Sequence, residues 1–483
     1  MNLSLMPLPQ PKERTKRVAA KSPLGPRPEF YFDYNASNGI SRLSLDNWAI
    51  EGFPHQQIKV NLSKLASHAG RVLSAVETDW VNLAMAIYAA DRFAIRRPGR
   101  SAGQTYWRRS INLSVSVLQP MLWETAKPQI LSALSFLTDD NWSLQFSERI
   151  LLQDEERQHH LFPNFQAEPP WVCLFSGGLD SLAGFKRLSR LPDSNGVLVS
   201  GWTHERLRLG QANIVDEIRS AQGKSFDWLP IYYGFPKINT DGGMESSQRS
   251  RGWVHVALGL AAAFASKQDT LNVCENGIGV FNLPTELSQT GSHTSRAMHP
   301  VFLHRIAQAA SVVFGRDFKV RQSALFETKG ELLTKTLSPS DANLAAKTFS
   351  CEIFPNYRAK EPQCGVCPSC LVRRASLHAA GIDDSGRLYA LDVLTQDIPA
   401  RNALSLIKME RYVRRISHCF GSSASDDSAM WEYPEAGSYF DEAAKSLDLS
   451  LDEYLCGLRK THNSFVLEWR NFAANLPVLR RVA

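Results

Sequence analysis

The chain has 483 residues, of which 43% are hydrophobic and 21% are charged, and its formal net charge at pH 7 is +6. This length predicts two or three domains with cores of their own, so no metal is needed merely to hold a small fold together. The mild positive charge is compatible with an anionic ligand such as ATP. It permits nucleic acid without arguing for it, and it gives little support to nucleic acid as a direct substrate, which would call for a concentrated basic face.

No apolar run in the sequence is long enough to span a bilayer, and the first eleven residues lack the apolar stretch of a secretory signal. We therefore expect a cytoplasmic protein with no membrane partner. In that compartment the eight cysteines are expected to be thiols or metal ligands rather than disulfides.

The first third of the chain divides into two predicted parts. Residues 1–28 carry six prolines and several basic residues and are predicted to be a flexible tail. Residues 29–166 are predicted to form an accessory α+β domain. Within it, residues 62–97 show helical spacing, and residues 110–118 and 142–150 alternate polar and apolar side chains as half-buried strands do.

The remainder divides into an α/β domain, residues 167–385, and a helical C-terminal extension, residues 386–483. In the α/β domain, short apolar runs alternate with helical stretches, which predicts a doubly wound and mostly parallel sheet. The predicted strands are residues 171–175, 196–202, 228–233 and 271–274, and the predicted helices include residues 181–191, 254–265 and a helix starting at 214–220. In the extension, residues 409–416 and 450–475 are the clearest helices.

A glycine-rich loop follows the first of these strands and opens a helix; it consists of Ser176, Gly177, Gly178, Leu179, Asp180 and Ser181. In such a sheet, ligands bind at this edge. The glycines let phosphate oxygens approach the backbone, whose amides at a helix start can donate to an anion. The serines add hydroxyl donors, whereas Asp180 suits orienting the loop or helping to hold Mg²⁺.

The loop lacks the Gly-Lys-Ser/Thr ending of a Walker A motif. A Walker lysine serves attack at the γ-phosphate of ATP. A loop that holds the β- and γ-phosphates as departing pyrophosphate instead serves attack at the α-phosphate, and a carboxylate attacking there forms an acyl-adenylate. The loop therefore predicts an ATP-dependent, AMP-forming enzyme; the alternative is an ordinary glycine-rich turn.

Four cysteines cluster late in the chain: Cys351, Cys364, Cys367 and Cys370. Four thiolates can close a tetrahedral Zn²⁺ site, and Gly365 allows the tight turn of such a knuckle. We favour structural zinc over two alternatives, an iron–sulfur cluster and a redox pair of Cys364 with Cys367. Arg373 and Arg374 follow at once and suit either phosphate contact or a solvated helix face.

The loop and the cysteine cluster, in this order, resemble the 7-cyano-7-deazaguanine synthase family (QueC-like proteins) over about residues 172–384. Further positions in step with the family are Arg251, Thr328, Lys329, Ser350, Gly381 and Asp384. The resemblance implies a PP-loop ATP pyrophosphatase domain (adenine nucleotide alpha hydrolase-like) with structural zinc. It also implies the substrate 7-carboxy-7-deazaguanine, which ATP adenylates before ammonia displaces AMP; a second activation then forms the nitrile.

The resemblance is incomplete in three respects. The family's tyrosine-glycine-glutamine-arginine-histidine stretch appears only as residues 203–206, residues 295–300 replace its aspartate-cysteine-arginine stretch, and about half of the chain lies outside the shared region. We therefore expect carboxylate activation to be retained more safely than nitrile formation. The long form, including residues 275–280, also resembles QueC-like proteins of bacterial anti-phage systems of the Qat and type IV CBASS kinds.

Five side chains outside the loop are predicted to join the site. Lys329 is predicted to place a cation near the phosphates, and Arg251 to hold phosphate or the substrate carboxylate. Glu275 follows a predicted strand and is expected to reach the nucleotide. Arg296 and His299 are predicted to contact the base. The alternatives are a surface lysine for Lys329, a structural ion pair for Arg251 and a turn residue for Glu275.

A synthase for ammonia alone has little use for large added domains. We therefore expect these domains to dock a macromolecular amine acceptor, the N-terminus of a partner protein from the same operon. The alternatives are a 7-cyano-7-deazaguanine synthase using ammonia, a different PP-loop enzyme such as a tRNA thiolase or an amidotransferase, and a nucleotide-binding scaffold of a defence complex.

Overall fold

The structure of the protein is a computed structural model. It describes residues 29–35, 40–46, 56–96, 108–151, 169–191, 195–222, 226–236, 244–281, 283, 296–354, 363–385, 389–396, 398–421 and 437–477. The predicted tail, residues 1–28, lies outside these ranges. The predicted domain boundaries near residues 166 and 385 stay predictions.

Ten strands form one sheet in the order β10-β9-β6-β7-β8-β3-β2-β1-β4-β5. They are β1 (Glu29–Asn35), β2 (Ile40–Asp46), β3 (Gln56–Val60), β4 (Ser110–Val117), β5 (Asn141–Glu148), β6 (Val172–Leu174), β7 (Val197–Trp202), β8 (Asp227–Gly234), β9 (Thr270–Val273) and β10 (Lys319–Gln322). The pairings β10-β9, β9-β6, β6-β7, β7-β8, β1-β4 and β4-β5 are parallel, whereas β1-β2, β2-β3 and β3-β8 are antiparallel. The prediction of an α/β protein with a mostly parallel sheet is therefore confirmed.

Fourteen α-helices are found in the described part of the chain. The first seven are α1 (Ser63–Ala69), α2 (Ala75–Phe93), α3 (Pro120–Thr138), α4 (Leu179–Leu188), α5 (Glu205–Gln222), α6 (Arg251–Ala265) and α7 (Gly277–Phe281). The other seven are α8 (Pro300–Phe314), α9 (Lys329–Thr336), α10 (Ala342–Lys347), α11 (Pro368–Ala379), α12 (Ala400–Phe420), α13 (Phe440–Ser446) and α14 (Leu451–Ala473). The last three confirm the prediction of a helical C-terminal part.

Both faces of the sheet are buried at its centre, in β6 and β7. Val172 and Val197 belong to one hydrophobic cluster together with α6 and α8, whereas Cys173 and Leu198 belong to a second cluster with α4 and α5. Successive residues of a strand point to opposite faces, so the two clusters lie on opposite sides of the sheet. Burial on both faces explains why the sequences of these strands are continuous apolar runs.

The strand order reverses at β6. From β6 the chain builds β7 and β8 on one side and then returns to build β9 and β10 on the other. Because β6 and β9 are parallel neighbours, the segments that follow them leave the same edge of the sheet and diverge. A crevice at such a reversal point is where open α/β sheets bind ligands.

Strands β4 and β5 are covered mainly on one face. Along β4 every second residue is buried, and its neighbour β5 begins with the same alternation. This confirms the strands predicted from alternating polar and apolar residues. Trp80 of α2 packs against Trp253 of α6 with ring centroids 6.4 Å apart, and its Nε1 donates to the Ala257 carbonyl at 3.0 Å. The N-terminal part is thus packed directly on a helix that reaches the crevice.

None of the helices in the described ranges combines the length and the apolar character that crossing a membrane requires.

Candidate functional site

The glycine-rich loop connects β6 to α4 at the reversal point. Gly177 has a φ of 85°, a conformation that strongly favours glycine. A Cβ at this position would also lie 2.5 Å from Cζ of Phe349. The amides of Gly177 and Gly178 donate to the hydroxyls of Ser181 and Ser176, each at 3.2 Å. The loop is therefore closed by its own serines, which accept bonds from amides that a phosphate could use.

A buried ion pair lies beside the loop. Oδ2 of Asp180, in the first turn of α4, lies 2.8 Å from Nζ of Lys329, and both side chains are about nine-tenths buried. Asn276 Nδ2 donates to the other carboxylate oxygen of Asp180 at 3.1 Å. Burial would lower the pKa of Lys329, but the charges of Asp180 and Glu275 outweigh it and raise the pKa. Lys329 is therefore a cation at neutral pH.

Glu275 follows β9 and adjoins this ion pair. Burial, and then the negative charge of Asp180, raise the pKa of Glu275 to about 8, although Lys329 acts in the opposite direction. Two carboxylates thus share one lysine at the crevice. Groups whose pKa is displaced by burial and by specific charges in a cleft are typical of functional sites.

Two cavities open beside the loop, with volumes of about 370 Å³ and 320 Å³. Five residues line both of them: Ser176, Asp180, Glu275, Phe349 and Ser350. The cavities therefore meet at the loop and at the two carboxylates. A ligand spanning both would pass directly over the loop.

The larger cavity lies over the ends of β6, β7, β8 and β9, and apart from Asp180, Glu275 and Arg251 it is lined by uncharged groups. Oη of Tyr233 lies 2.8 Å from Nε2 of His255. Burial, and then the charge of Arg251, lower the pKa of His255 to about 3, and burial raises the pKa of Tyr233. This pair is uncharged at neutral pH, so it can exchange hydrogen bonds with a neutral heterocycle. Arg251 supplies a cation in the same cavity.

The smaller cavity is shared between the loop and the C-terminal helices. Lys329 and Gly178 line it on one side, and Met409 and Tyr412 of α12 line it on the other. The helical C-terminal part therefore contributes a wall to the site.

The four clustered cysteines have the geometry of a single-ion site. Their sulfurs lie within 4.8 Å of one another, with Cys364 and Cys370 3.9 Å apart and Cys351 and Cys367 4.0 Å apart. Four thiolates at about 2.3 Å from a tetrahedral zinc ion are about 3.8 Å apart. The cluster could therefore hold a structural zinc. This compact set suits one ion better than an iron–sulfur cluster, whose thiolates bind separate irons.

The cysteine cluster is continuous with the loop. Phe349, two residues before Cys351, donates its amide to the Gly177 carbonyl at 3.2 Å. Its ring fills the space that a side chain at Gly177 or Gly210 would need. Cys351 itself lines the larger cavity. A metal bound by the cluster would therefore fix a segment that supports the phosphate-binding loop.

The two arginines after the cluster have neither of the two predicted roles. Arg373 is fully buried and donates to the Ala345 carbonyl at 2.7 Å and to Oγ1 of Thr348, also at 2.7 Å. Arg374 is buried as well and pairs with Asp392. These arginines are therefore neither solvated nor placed along the cavities, and Arg373 ties α11 to the segment before the cluster.

The structure brings most of the predicted site residues together, but not Arg296 and His299. The loop, Lys329, Glu275 and Arg251 all border the cavities. Arg296 instead donates to the Phe136 carbonyl at 3.0 Å. His299 caps α8, where its Nδ1 accepts a backbone amide. Neither side chain lines either cavity, so the geometry does not support their predicted contact with a base.

Several cavity residues were missed from the sequence; they are Gln211, Tyr233, His255, Asn276 and Phe349. Two of them could have been predicted from the sequence. Tyr233 ends a predicted strand at the ligand-binding edge, and Phe349 lies two residues before the predicted metal ligand Cys351. The other three depend on helices and turns whose placement requires the sheet order.

Comparisons with known proteins give no match: no family model matches the chain, and neither does any curated protein or solved structure. The functional argument therefore rests on the geometry of the crevice and on the motifs in the sequence.

Proposed function

We propose that the chain is an ATP-dependent carbon–nitrogen ligase that releases AMP and pyrophosphate. One observation carries the proposal: a glycine-rich loop with a serine at each end leaves β6 at the point where the strand order reverses, and Lys329 lies beside it. Ligands bind at such reversal points, and amides at a helix start bind anions. Without a Walker lysine, the loop suits a departing pyrophosphate better than transfer of a γ-phosphate.

In this proposal the loop backbone and the hydroxyls of Ser176 and Ser181 bind the β- and γ-phosphates. Lys329 neutralises charge that develops on the leaving pyrophosphate. Asp180 orients the loop, because both of its oxygens are already engaged by Lys329 and Asn276. Mg²⁺ would accompany the phosphates and supply further charge neutralisation. The cysteine cluster would hold zinc in a structural role.

The larger cavity is proposed to bind the acid that becomes adenylated. The family resemblance favours 7-carboxy-7-deazaguanine as this acid. The uncharged pair of Tyr233 and His255 suits a neutral ring, and Arg251 suits the carboxylate because guanidinium groups bind carboxylates by two parallel hydrogen bonds. Attack of the carboxylate on the α-phosphate then gives the acyl-adenylate.

The acceptor is proposed to be an amine, most specifically the N-terminus of a partner protein in an anti-phage system. Two points support a large acceptor: the wall that α12 gives the smaller cavity, and the resemblance to the long QueC-like proteins of such systems. The alternative is ammonia, which gives the amide or nitrile of the deazaguanine.

Pyrophosphate release tests the first step. Purified protein with ATP, Mg²⁺ and 7-carboxy-7-deazaguanine is expected to release pyrophosphate and AMP, and omission of the acid should abolish the release. Production of ADP, or release that does not depend on the acid, would contradict the proposal and favour a scaffold or another reaction.

The mass of the acceptor tests the second step. A candidate partner protein incubated with the enzyme, ATP and the acid should gain the mass of the acid less one water. An unchanged partner together with a free deazaguanine amide or nitrile would identify ammonia as the acceptor instead.

A further inference from the structure

Glu275 is a cavity carboxylate with almost no partner in the described part of the chain. The hydrogen bond that it accepts at Oε1 from Nδ2 of Asn276 is 3.5 Å long and so is weak. The side chain nevertheless lines both cavities and therefore stands where they meet. Glu275 is half-buried, and a polar cavity group left in this condition suits a partner that arrives with a ligand or during a reaction.

The other carboxylates of the two cavities are already engaged. Asp180 forms an ion pair with Lys329 at 2.8 Å. Glu352 in the smaller cavity accepts from the amide and the hydroxyl of Ser369, at 3.2 and 3.0 Å. Of the carboxylates that line these cavities, Glu275 is therefore the one free to take up a proton.

The backbone holds Glu275 in a fixed place. It lies two residues after the end of β9, and the next turn is fixed by a bond from the Gly277 amide to the Glu327 carbonyl at 2.9 Å. Gly279 has no side chain, and the space that its Cβ would need is filled by the carboxylate of Glu275. The carboxylate is thus packed against α7 at the junction of the cavities.

We propose that Glu275 is the catalytic base that accepts the proton of the attacking amine, a role that rests on the proposed function. The nitrogen of the amine forms a bond to the acyl carbon of the acyl-adenylate. The bond from that carbon to the AMP oxygen breaks, and its electron pair leaves with AMP. One proton passes from the nitrogen to the Glu275 carboxylate, and the product is an amide.

The charges around Glu275 suit a base that works near neutral pH. Burial and Asp180 raise its pKa to about 8, and Cys274 does so to a lesser extent, whereas Lys329 lowers it. A catalytic base is most effective when its pKa lies near the working pH. An α-amine has a pKa of about 7.7–8.0 and a lysine side chain about 10.4, so a chain N-terminus is unprotonated to a larger extent at that pH and is the more reactive acceptor.

The test separates adenylation from transfer in the Glu275→Gln variant, which keeps the size of the side chain. The rate of exchange between ATP and pyrophosphate in the presence of the acid should stay within about twofold of the rate for the unaltered protein. Amide formation with glycinamide, a small α-amine, should fall by about 10²–10⁴-fold at pH 7. The loss should grow as the pH rises through 8, because Glu275 is then increasingly ionised in the unaltered protein, whereas glutamine gains nothing from that change.

Hydroxylamine provides the readout that a structural role would not change. It is mostly unprotonated at neutral pH and needs little help from a base, so the variant should still form the hydroxamate. The Glu442→Gln variant, which alters a carboxylate paired with Arg305, is the control and should leave all three reactions unchanged.

Two results would overturn the role of Glu275. One is equal loss of exchange and of transfer in Glu275→Gln, which would place the residue in adenylation. The other is unchanged transfer to glycinamide. If the unaltered protein shows no exchange with the acid, the proposed function itself is wrong, and the role of Glu275 fails with it.

Discussion

The protein contains two groups of charged side chains that differ in how completely their charges are paired. In the N-terminal section, Arg109 donates to Asp140 at 2.6 Å and also pairs with Asp91, and Arg96 pairs with Asp140 at 2.7 Å. Ser250 completes the network by donating its hydroxyl to Asp91 at 2.6 Å. In this network each carboxylate is matched by cations and short hydrogen bonds, and none of its members lines either cavity.

The crevice group is incomplete by comparison. In the described ranges, Lys329 is the one cation that acts on both Asp180 and Glu275, and the contact of Glu275 with Asn276 is long. The pKa values reflect this: the charge of Arg109 and bonds from Ser250 overcome burial and lower the pKa of Asp91, whereas burial and Asp180 raise that of Glu275. The first network therefore stabilises the fold, whereas the second keeps a charged group available to bind a ligand.

The largest effect on stability is expected from Arg109→Met. This variant leaves the carboxylates of Asp91 and Asp140 buried without their shared cation. We expect the free energy of unfolding in urea to fall by about 3–5 kcal/mol. A fall no greater than that caused by Lys329→Met would contradict the distinction between the two groups.

The largest effect on activity is expected from Lys329→Met. Loss of this cation should lower the rate of acid-dependent pyrophosphate release by about 10²–10³-fold. The free energy of unfolding should change far less than in Arg109→Met, because Asp180 lines the open cavities and keeps its bond from Asn276, and Glu275 can stay protonated. If the urea transition moves as much as in Arg109→Met while the release rate is preserved, the lysine is structural.

A smaller effect concerns the pH dependence of stability. The ordinary pKa of Glu275 is 4.5 and its folded value is about 8, so between these values the folded chain binds the proton more tightly than the unfolded one. Its contribution to stability is therefore fully present below pH 4.5 and is lost as the pH rises through 8, at no more than about 1.4 kcal/mol per pH unit. Urea unfolding at pH 6 and pH 8 should show a smaller fall in Glu275→Gln than in the unaltered protein. Equal falls in the two would show that Glu275 is ionised throughout.

The smallest effects are expected at two matched helix caps. Ser74 caps α2 in the N-terminal section and Thr328 caps α9, and each forms a capping box with a glutamate three residues later. Ser74→Ala and Thr328→Ala should each cost about 1 kcal/mol of stability. Only Thr328→Ala should also slow pyrophosphate release, because Lys329 is the next residue. Equal effects on the release rate would remove the link between this cap and the site.

The sequence predicted those parts of the fold whose burial leaves a local pattern. The apolar runs at β6 and β7 and the alternation at β4 were each found within two residues of their bounds. Helix α3 was missed because Pro128 lies in its interior, where proline normally interrupts a helix. Strand β10 was missed because its four residues are mostly polar and none is fully buried.

The candidate site was predictable as a set of motifs but not as a set of contacts. The loop and Glu275 were identified because each follows a predicted strand, whereas Lys329 was identified through the family resemblance. The pairing of Lys329 with Asp180 joins residues 149 positions apart and depends on how α9 packs beside α4. Likewise, the pair of Tyr233 and His255 depends on the sheet placing β8 next to the helix that carries His255.

Isotope transfer tests the central claim most directly. The protein is incubated with ATP, Mg²⁺, an amine and 7-carboxy-7-deazaguanine carrying oxygen-18 in its carboxylate. If the carboxylate attacks the α-phosphate, one labelled oxygen passes to AMP and pyrophosphate stays unlabelled. Label in inorganic phosphate, or AMP formed without label, would contradict an acyl-adenylate held at this loop.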